Sequence, residues 1–240
     1  MCSSDLTIVL VLDQNHFEIS KHDKFSPSTI GLFKPPFVRL GAHSHYKCYQ
    51  NPIKADFEAG NYKPRLTITK RMSGKGFPIT LRVEFSIPKL LYGNNFAEVA
   101  DDDFTGIIKK LRDKLEEMGV YATIFQLRRA EVSAIHYSKN IILEEFMTSS
   151  MIINELKKIN LTKRLDLSNT DFRNEGNVLH YHANSYEVVF YDKMKDMQQS
   201  LTSEKRAIEN YNAFQLDLFK SFASKKHLEV MRAKLLNKSS

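Results

Sequence analysis

Residues 178–191, VLHYHANSYEVVFY, give the clearest indication of a β-sheet in the chain, and they also contain two closely spaced histidines. β-branched and aromatic residues dominate this stretch, which favours a β-strand. The interruption at Ala183-Asn184-Ser185 leaves two interpretations open, one long strand or two shorter ones. Arg65–Arg71 (RLTITKR) and residues 79–87 (ITLRVEFSI) are joined by a glycine-containing connector, which predicts an antiparallel hairpin.

Other predicted elements surround these strands. Residues 3–19 predict a first strand, and the helical spacing of apolar residues after Asp101-Asp102-Asp103 predicts a helix that ends at Gly119. The remaining expectations are a proline-rich insertion at 21–64 with edge strands at 37–40 and 47–50, a strand at 121–135, a helix at 143–159, a loop at 160–177, and a long charged helix or helical pair at 193–238.

This order predicts an α+β fold of the split βαβ, ferredoxin-like type. The sheet is expected to be antiparallel, with helices on one face and a helical C-terminal tail. We expect an α+β domain at 1–195 that contains the insertion, and a basic helical segment at 196–240.

The composition limits the classes of protein to which the chain can belong. Its 240 residues, 42% of them hydrophobic, can bury a sizeable core, so extensive disorder is not expected. Two cysteines are too few for a disulfide framework, and no apolar run is long enough for a membrane span. Residues 1–6 carry Asp5 and no Lys or Arg, unlike the start of a secretory signal, so we expect an intracellular mature protein. The net charge of +7 favours a polyanionic partner such as nucleic acid.

His180 and His182 are predicted to share one strand face, because residues i and i+2 of a strand point the same way. Two imidazoles in this arrangement can bind one divalent ion. The same pattern also fits two half-exposed strand histidines that bind nothing. A second pair, His43 and His45, lies in the proline-rich insertion and is not assigned to a site.

Glu84 and Glu131 are each predicted to lie in the middle of a strand with apolar neighbours. A carboxylate there is costly unless it is paired, exposed or bound to a metal. Together with His180 and His182, the two acids would form a set of oxygen and nitrogen ligands for Mg²⁺ or Mn²⁺. Each acid taken alone fits a solvent-facing residue on a half-buried strand equally well.

Tyr191 is a candidate nucleophile, because a tyrosine hydroxyl can attack a phosphodiester and form a phosphotyrosine-linked DNA end. Lys193 is two residues away and could stabilise the developing negative charge. Tyr186 and Tyr211 are rival nucleophiles, and Tyr191 also fits a strand-end aromatic residue that packs on the sheet. Spacing alone does not choose among these alternatives.

Three segments resemble the phage and plasmid replication initiators related to the filamentous-phage gene II/X protein, which nick DNA for rolling-circle replication. The segments are VEFSIPKLLYGNN at 83–95, LRRAEVSA at 127–134 and VVFYDK at 188–193. They occur in the order of that family, and the likeness covers residues 80–240 loosely. Its most specific part is the strand acid followed by Pro-Lys-Leu-Leu-x-Gly-x-Asn.

The resemblance implies that Tyr191 is the nicking tyrosine with Lys193 beside it, and that Glu84 and Glu131 are acids on the metal side. Glu131 stands where the family usually has Asp, which would shift the metal by about one bond length. The resemblance also implies a strand near Glu229-Val230-Met231-Arg232 and further protein after it, so that this chain would be a fragment or a natural short form.

These observations lead to a replication initiator that binds single-stranded or melted origin DNA, with Mg²⁺ or Mn²⁺ as cofactor, in the cytoplasm of a bacterial host. A host helicase or polymerase is an expected partner. Positive side chains near the core strands are the expected contacts to the DNA backbone: Lys89, Arg128, Arg129 and Lys139. The alternatives are a non-catalytic DNA-binding protein, such as a degenerate or truncated initiator, and a structural or protein-interaction domain.

Overall fold

A computed structural model describes residues 5–33, 45–53, 55–56, 59–71, 76–93, 104–144, 146–159, 167–173, 177–196 and 230–237. The strands are β1 (Asp5–Asp13), β2 (Glu18–Ile19), β3 (His45–Gln50), β4 (Arg65–Arg71), β5 (Ile79–Ser86), β6 (Val120–Tyr121), β7 (Glu131–Ile142), β8 (Leu167–Arg173), β9 (Val178–Ala183), β10 (Tyr186–Asp192) and β11 (Val230–Asn237). The α-helices are α1 (Ile30–Phe33), α2 (Ile87–Tyr92), α3 (Phe104–Glu117), α4 (Ile124–Arg128) and α5 (Ser149–Lys158).

Nine strands form one sheet in the order β3-β4-β5-β1-β7-β11-β10-β9-β8, and β2 pairs with β6 separately. Every neighbouring pair in the large sheet is antiparallel. The predicted α+β class with an antiparallel sheet is therefore confirmed.

One face of the sheet carries two separate hydrophobic cores. In the first, β1 and β5 present alternate apolar residues such as Leu10 and Val83 to α2, α3 and α4, whose own buried residues include Leu111 and Leu127. In the second, Ile153 of α5 packs on Leu179, Tyr181 and Met231. Buried side chains at every second position leave the opposite sheet face to the intervening residues.

The predicted hairpin of β4 and β5, the helix that begins at Phe104 and the edge strand at 47–50 are all confirmed. Gly119 follows that helix with φ 84°, in the left-handed region that favours glycine. The long stretch at 178–191 is two strands, β9 and β10, interrupted by Asn184 and Ser185. The predicted edge strand at 37–40 lies outside the described residues.

Three element predictions are wrong. Residues 124–128 are helical because Thr123 and Gln126 form a reciprocal capping box, so the strand predicted at 121–135 begins only at Glu131. The loop predicted at 160–177 contains β8. The predicted helical tail contains β11, which joins the sheet between β7 and β10 and agrees with the strand that the resemblance implied.

No described helix has the length and the apolar character that a membrane crossing requires.

Candidate metal centre

The sheet face opposite to the two hydrophobic cores brings together three potential metal ligands from β9 and β10. In an antiparallel ladder, residues that are directly paired point to the same face. His182 pairs with Glu187 and His180 pairs with Val189, so both imidazoles and the Glu187 carboxylate lie on one face. The two strands are joined by only Asn184 and Ser185, and this short turn sets the register.

The ligand atoms of His180, His182 and Glu187 all lie within 4.8 Å of one another. Glu187 Oε1 makes a short hydrogen bond with His180 Nδ1 and lies 3.7 Å from His182 Nδ1. The two imidazole rings stack with centroids 5.7 Å apart and planes inclined by 15°. All three side chains are at most 18% exposed, so water competes weakly for the site.

The donor set suits a divalent cation. Two neutral imidazoles and one carboxylate can together hold one divalent ion. Imidazole nitrogen suits borderline transition metals, whereas Mg²⁺ prefers oxygen. Of the two predicted cofactors, Mn²⁺ therefore fits these residues better than Mg²⁺.

Tyr191 lies next to this group. It pairs with Val178, two residues from the pair formed by Val189 and His180, so Tyr191 is a diagonal neighbour of His180 on the same face. Residues diagonal to each other across antiparallel strands have Cα atoms roughly 7–8 Å apart, within reach of long side chains. Tyr186 also lies on β10 and is paired with Asn237, whereas Tyr211 falls outside the described residues.

Lys193 follows the end of β10 in a short helical segment at 193–196 and is buried. Its Nζ lies 3.3 Å from Asp196 Oδ2. Burial, together with the positive charges of Arg232 and Lys89, lowers the pKa of Lys193 to about 8, although Asp196 acts in the opposite direction. Arg232 pairs with Tyr191 across β10 and β11, and its Nε donates a hydrogen bond to Asn140 Oδ1 at 2.8 Å. Positive charge is therefore concentrated beyond Tyr191, away from His182.

Glu84 is on the same sheet face but far from the histidines. Its strand, β5, is separated from β9 by five inter-strand steps, which span roughly 24 Å along the sheet. There Glu84 lies 3.6 Å from Arg82 and lines a cavity of about 140 Å³ together with Lys89. The structure does not bring Glu84 together with His180 and His182.

Glu131 is also separate from the histidines. It is the first residue of β7 rather than a mid-strand residue, and it is exposed. Arg128 and Arg129 lie at the end of α4 and stack on phenylalanines, whereas Lys139 of β7 pairs with Ala233 of β11. Asn140 pairs with Arg232, which in turn pairs with Tyr191, so Asn140 lies on the face of the metal ligands. Successive residues of a strand point to opposite faces, and Lys139 therefore points away from these ligands.

Sequence reasoning missed two polar residues on this face. Glu187 could have been found from the interruption at 183–185, because a two-residue turn there places it opposite His182. His136 pairs with Thr7 and Leu236, and its buried Nδ1 has no hydrogen-bond partner among the residues that the structure describes. Burial first, and then the charges of Lys234 and Arg82, lower the pKa of His136, while Glu84 raises it. No sequence signal marked this histidine.

Comparison with known proteins gives no relative: no family model, no curated protein and no solved structure matches the chain.

Proposed function

We propose that this protein nicks and rejoins origin DNA in a metal-dependent reaction that initiates rolling-circle replication. The observation that carries the proposal is the position of Tyr191, diagonal to His180 on the face that holds the His180–His182–Glu187 group. A nucleophile beside three potential metal ligands is an arrangement that supports metal-assisted transesterification of a phosphodiester.

His180, His182 and Glu187 would hold the ion, and Mn²⁺ is the cation we favour. When bound, such an ion polarises a phosphodiester and offsets the charge that develops on its oxygens. Tyr191 gives up its phenolic proton and forms an oxygen–phosphorus bond, while the bond from phosphorus to the departing strand breaks. The departing oxygen takes up a proton in exchange and becomes a free hydroxyl end, so the step is balanced in protons. The phosphotyrosine keeps the bond energy, so attack by a hydroxyl end rejoins the DNA.

The architecture and the charge agree with this proposal. The order β4-β5-β1-β7, with β1 antiparallel to both of its neighbours, supports a ferredoxin-like, rolling-circle nuclease-like core within the larger sheet. Four positive side chains are proposed to contact single-stranded or melted DNA: Lys89, Arg128, Arg129 and Lys139. Of these, Arg128, Arg129 and Lys139 lie on the side of the sheet opposite to Tyr191, so they would hold DNA away from the cleaved phosphate. The proposal places the protein in the cytoplasm of a bacterial host, with a host helicase or polymerase as partner.

A second candidate function is a non-catalytic, origin-binding protein that descends from such an initiator. The separation of Glu84 and Glu131 from the two histidines favours this alternative, because it leaves Glu187 as the one carboxylate among the described residues of the group. Under this alternative, the protein binds DNA in a chelator and forms no covalent product.

The two candidates are separated by incubating the protein with end-labelled single-stranded oligonucleotides and Mn²⁺, followed by a denaturing gel. The nicking proposal predicts a protein–DNA adduct that disappears in a chelator and in Tyr191→Phe. Binding that falls steeply with salt but yields no adduct would instead support the non-catalytic protein.

A further inference from the structure

Two phenylalanines on neighbouring helices are largely exposed to water. Phe104, at the start of α3, is 56% exposed, and Phe125, in α4, is 66% exposed. The opposite sides of both helices pack into the first core, in which Ile107, Ile108 and Leu127 are buried. The two rings are therefore presented on a supported surface.

An arginine lies over each of these rings. The guanidinium carbon of Arg128 is 5.8 Å from the ring centroid of Phe104, and that of Arg129 is 4.9 Å from the ring centroid of Phe125. Arg128 also donates a hydrogen bond from Nη2 to Thr105 Oγ1 at 3.1 Å, which joins the end of α4 to the start of α3. This hydrogen bond and the packing of α3 against α4 bring the two pairs to the region where the helices meet. These residues are here called the aromatic–arginine patch (Phe104, Phe125, Arg128 and Arg129).

This patch and the metal centre lie on opposite sides of the sheet. The buried residues of α3 and α4 pack against the face that carries Leu10 and Val83. The His180–His182–Glu187 group lies on the other face. Directly paired residues share a face, and the pairing from β5 across to β9 places Glu84, Val9 and Ala134 on the same face as this group. A ligand of the patch is therefore not the phosphate that contacts Tyr191.

We propose that the aromatic–arginine patch is a second nucleic-acid site, which binds a single-stranded segment. Exposed aromatic faces stack on unpaired bases, and the neighbouring guanidinium groups contact phosphates or extend the stack. Base pairs in a duplex do not offer their faces in this way, so single strands are preferred. The site needs neither the metal ion nor Tyr191, and so it goes beyond the nicking reaction by holding a strand away from the point of cleavage.

The chain contains no tryptophan, which allows a direct test. In Phe125→Trp, the single indole keeps the stacking surface and reports contact with bases through quenching of its emission. Phe146→Trp is the matched control, because Phe146 is 92% exposed and lies outside the patch. With oligo-dT in excess chelator, we expect quenching in Phe125→Trp and unchanged emission in Phe146→Trp.

The double variant Phe104→Ala/Phe125→Ala should bind fluorescein-labelled oligo-dT at least about fivefold more weakly, because stacking on one aromatic ring contributes about 1–3 kcal/mol per base. Phe146→Ala should bind like the wild type. Wild-type affinity in the double variant, absence of quenching while anisotropy reports binding, or equal quenching by duplex DNA would overturn the inference. Quenching in Phe125→Trp without a Tyr191 adduct would contradict the nicking proposal and support strand binding by the patch. An adduct without quenching would support nicking and contradict strand binding by the patch.

Discussion

His182 and Glu187 face each other across a two-residue turn, with His182 Nδ1 3.7 Å from Glu187 Oε1. Because all three potential ligands belong to one β-hairpin, their mutual positions depend on the pairing of β9 with β10 and on few distant contacts. The second core, in which Leu179 and Tyr181 pack under α5, holds the same hairpin from its other face. This rigid support is what a preorganised site requires.

Glu187→Gln should weaken Mn²⁺ binding by at least about tenfold, since the loss of even an outer-shell partner of a metal site costs that much. The amide keeps the shape of the side chain but removes its charge. Mn²⁺ affinity can be measured by electron paramagnetic resonance of the free ion. Glu84→Gln is the control, because Glu84 lies on the same face but five strands away. Equal losses in both variants would contradict the assignment of Glu187.

Mn²⁺ should raise the thermal unfolding midpoint at lower concentration than Mg²⁺ does. A ligand that binds the native state stabilises it according to its concentration relative to its dissociation constant. Two imidazole donors favour Mn²⁺ over Mg²⁺. Calorimetric scans of the chelator-treated protein with each ion test this order, and an equal or stronger effect of Mg²⁺ would show that the histidines are not the ligands.

Lys193→Met should stabilise the protein near neutral pH. The folded-state pKa of Lys193 is about 8, below its ordinary value of 10.5, so the unfolded chain binds the proton more tightly. The resulting destabilisation is present in full below pH 8 and is relieved as the pH rises toward 10.5. Urea unfolding should show that the advantage of Lys193→Met shrinks by about 2 kcal/mol between about pH 7.5 and pH 9.5. A constant difference would mean that Lys193 titrates normally.

His136→Gln should reduce the loss of stability on mild acidification. The pKa of His136 is lowered in the folded state, so the unfolded chain takes up the proton first and stability falls as the pH drops below 6.5. The charged groups that act on this imidazole are Lys234, Arg82 and Glu84. The unfolding free energies of the wild type and of His136→Gln should be measured at about pH 7.5 and pH 5.5, and the difference between the two proteins should be smaller at pH 5.5. If the two proteins lost the same amount of stability between these pH values, the pKa of His136 would not be lowered by folding.

Local patterns in the sequence were sufficient for much of the sheet and for two of the three potential ligands, His180 and His182. Alternation places His180 and His182 on one face, and the glycine connector predicts the pairing of β4 with β5. The capping box of Thr123 and Gln126 was also visible as a T-x-x-Q pattern, but the β-branched and aromatic residues around it favoured a strand.

Non-local pairing accounts for the rest. Residues 230–237 (VMRAKLLN) contain no proline or glycine and consist mostly of residues with good helix propensity, which favours a helix when the segment is considered alone. They become a strand because β7 and β10 provide hydrogen-bonding edges on both sides. The distance between Glu84 and His180 is likewise set by the strand order, which no spacing along the chain reveals.

We propose Tyr191 as the nucleophile beside the His180–His182–Glu187 group. This assignment is tested most directly by digesting the protein–oligonucleotide adduct formed with Mn²⁺ and locating the nucleotide by tandem mass spectrometry. The account predicts a nucleotide on the oxygen of Tyr191. A nucleotide on Tyr186 or Tyr211, or an adduct that forms equally well in Glu187→Gln, would contradict it.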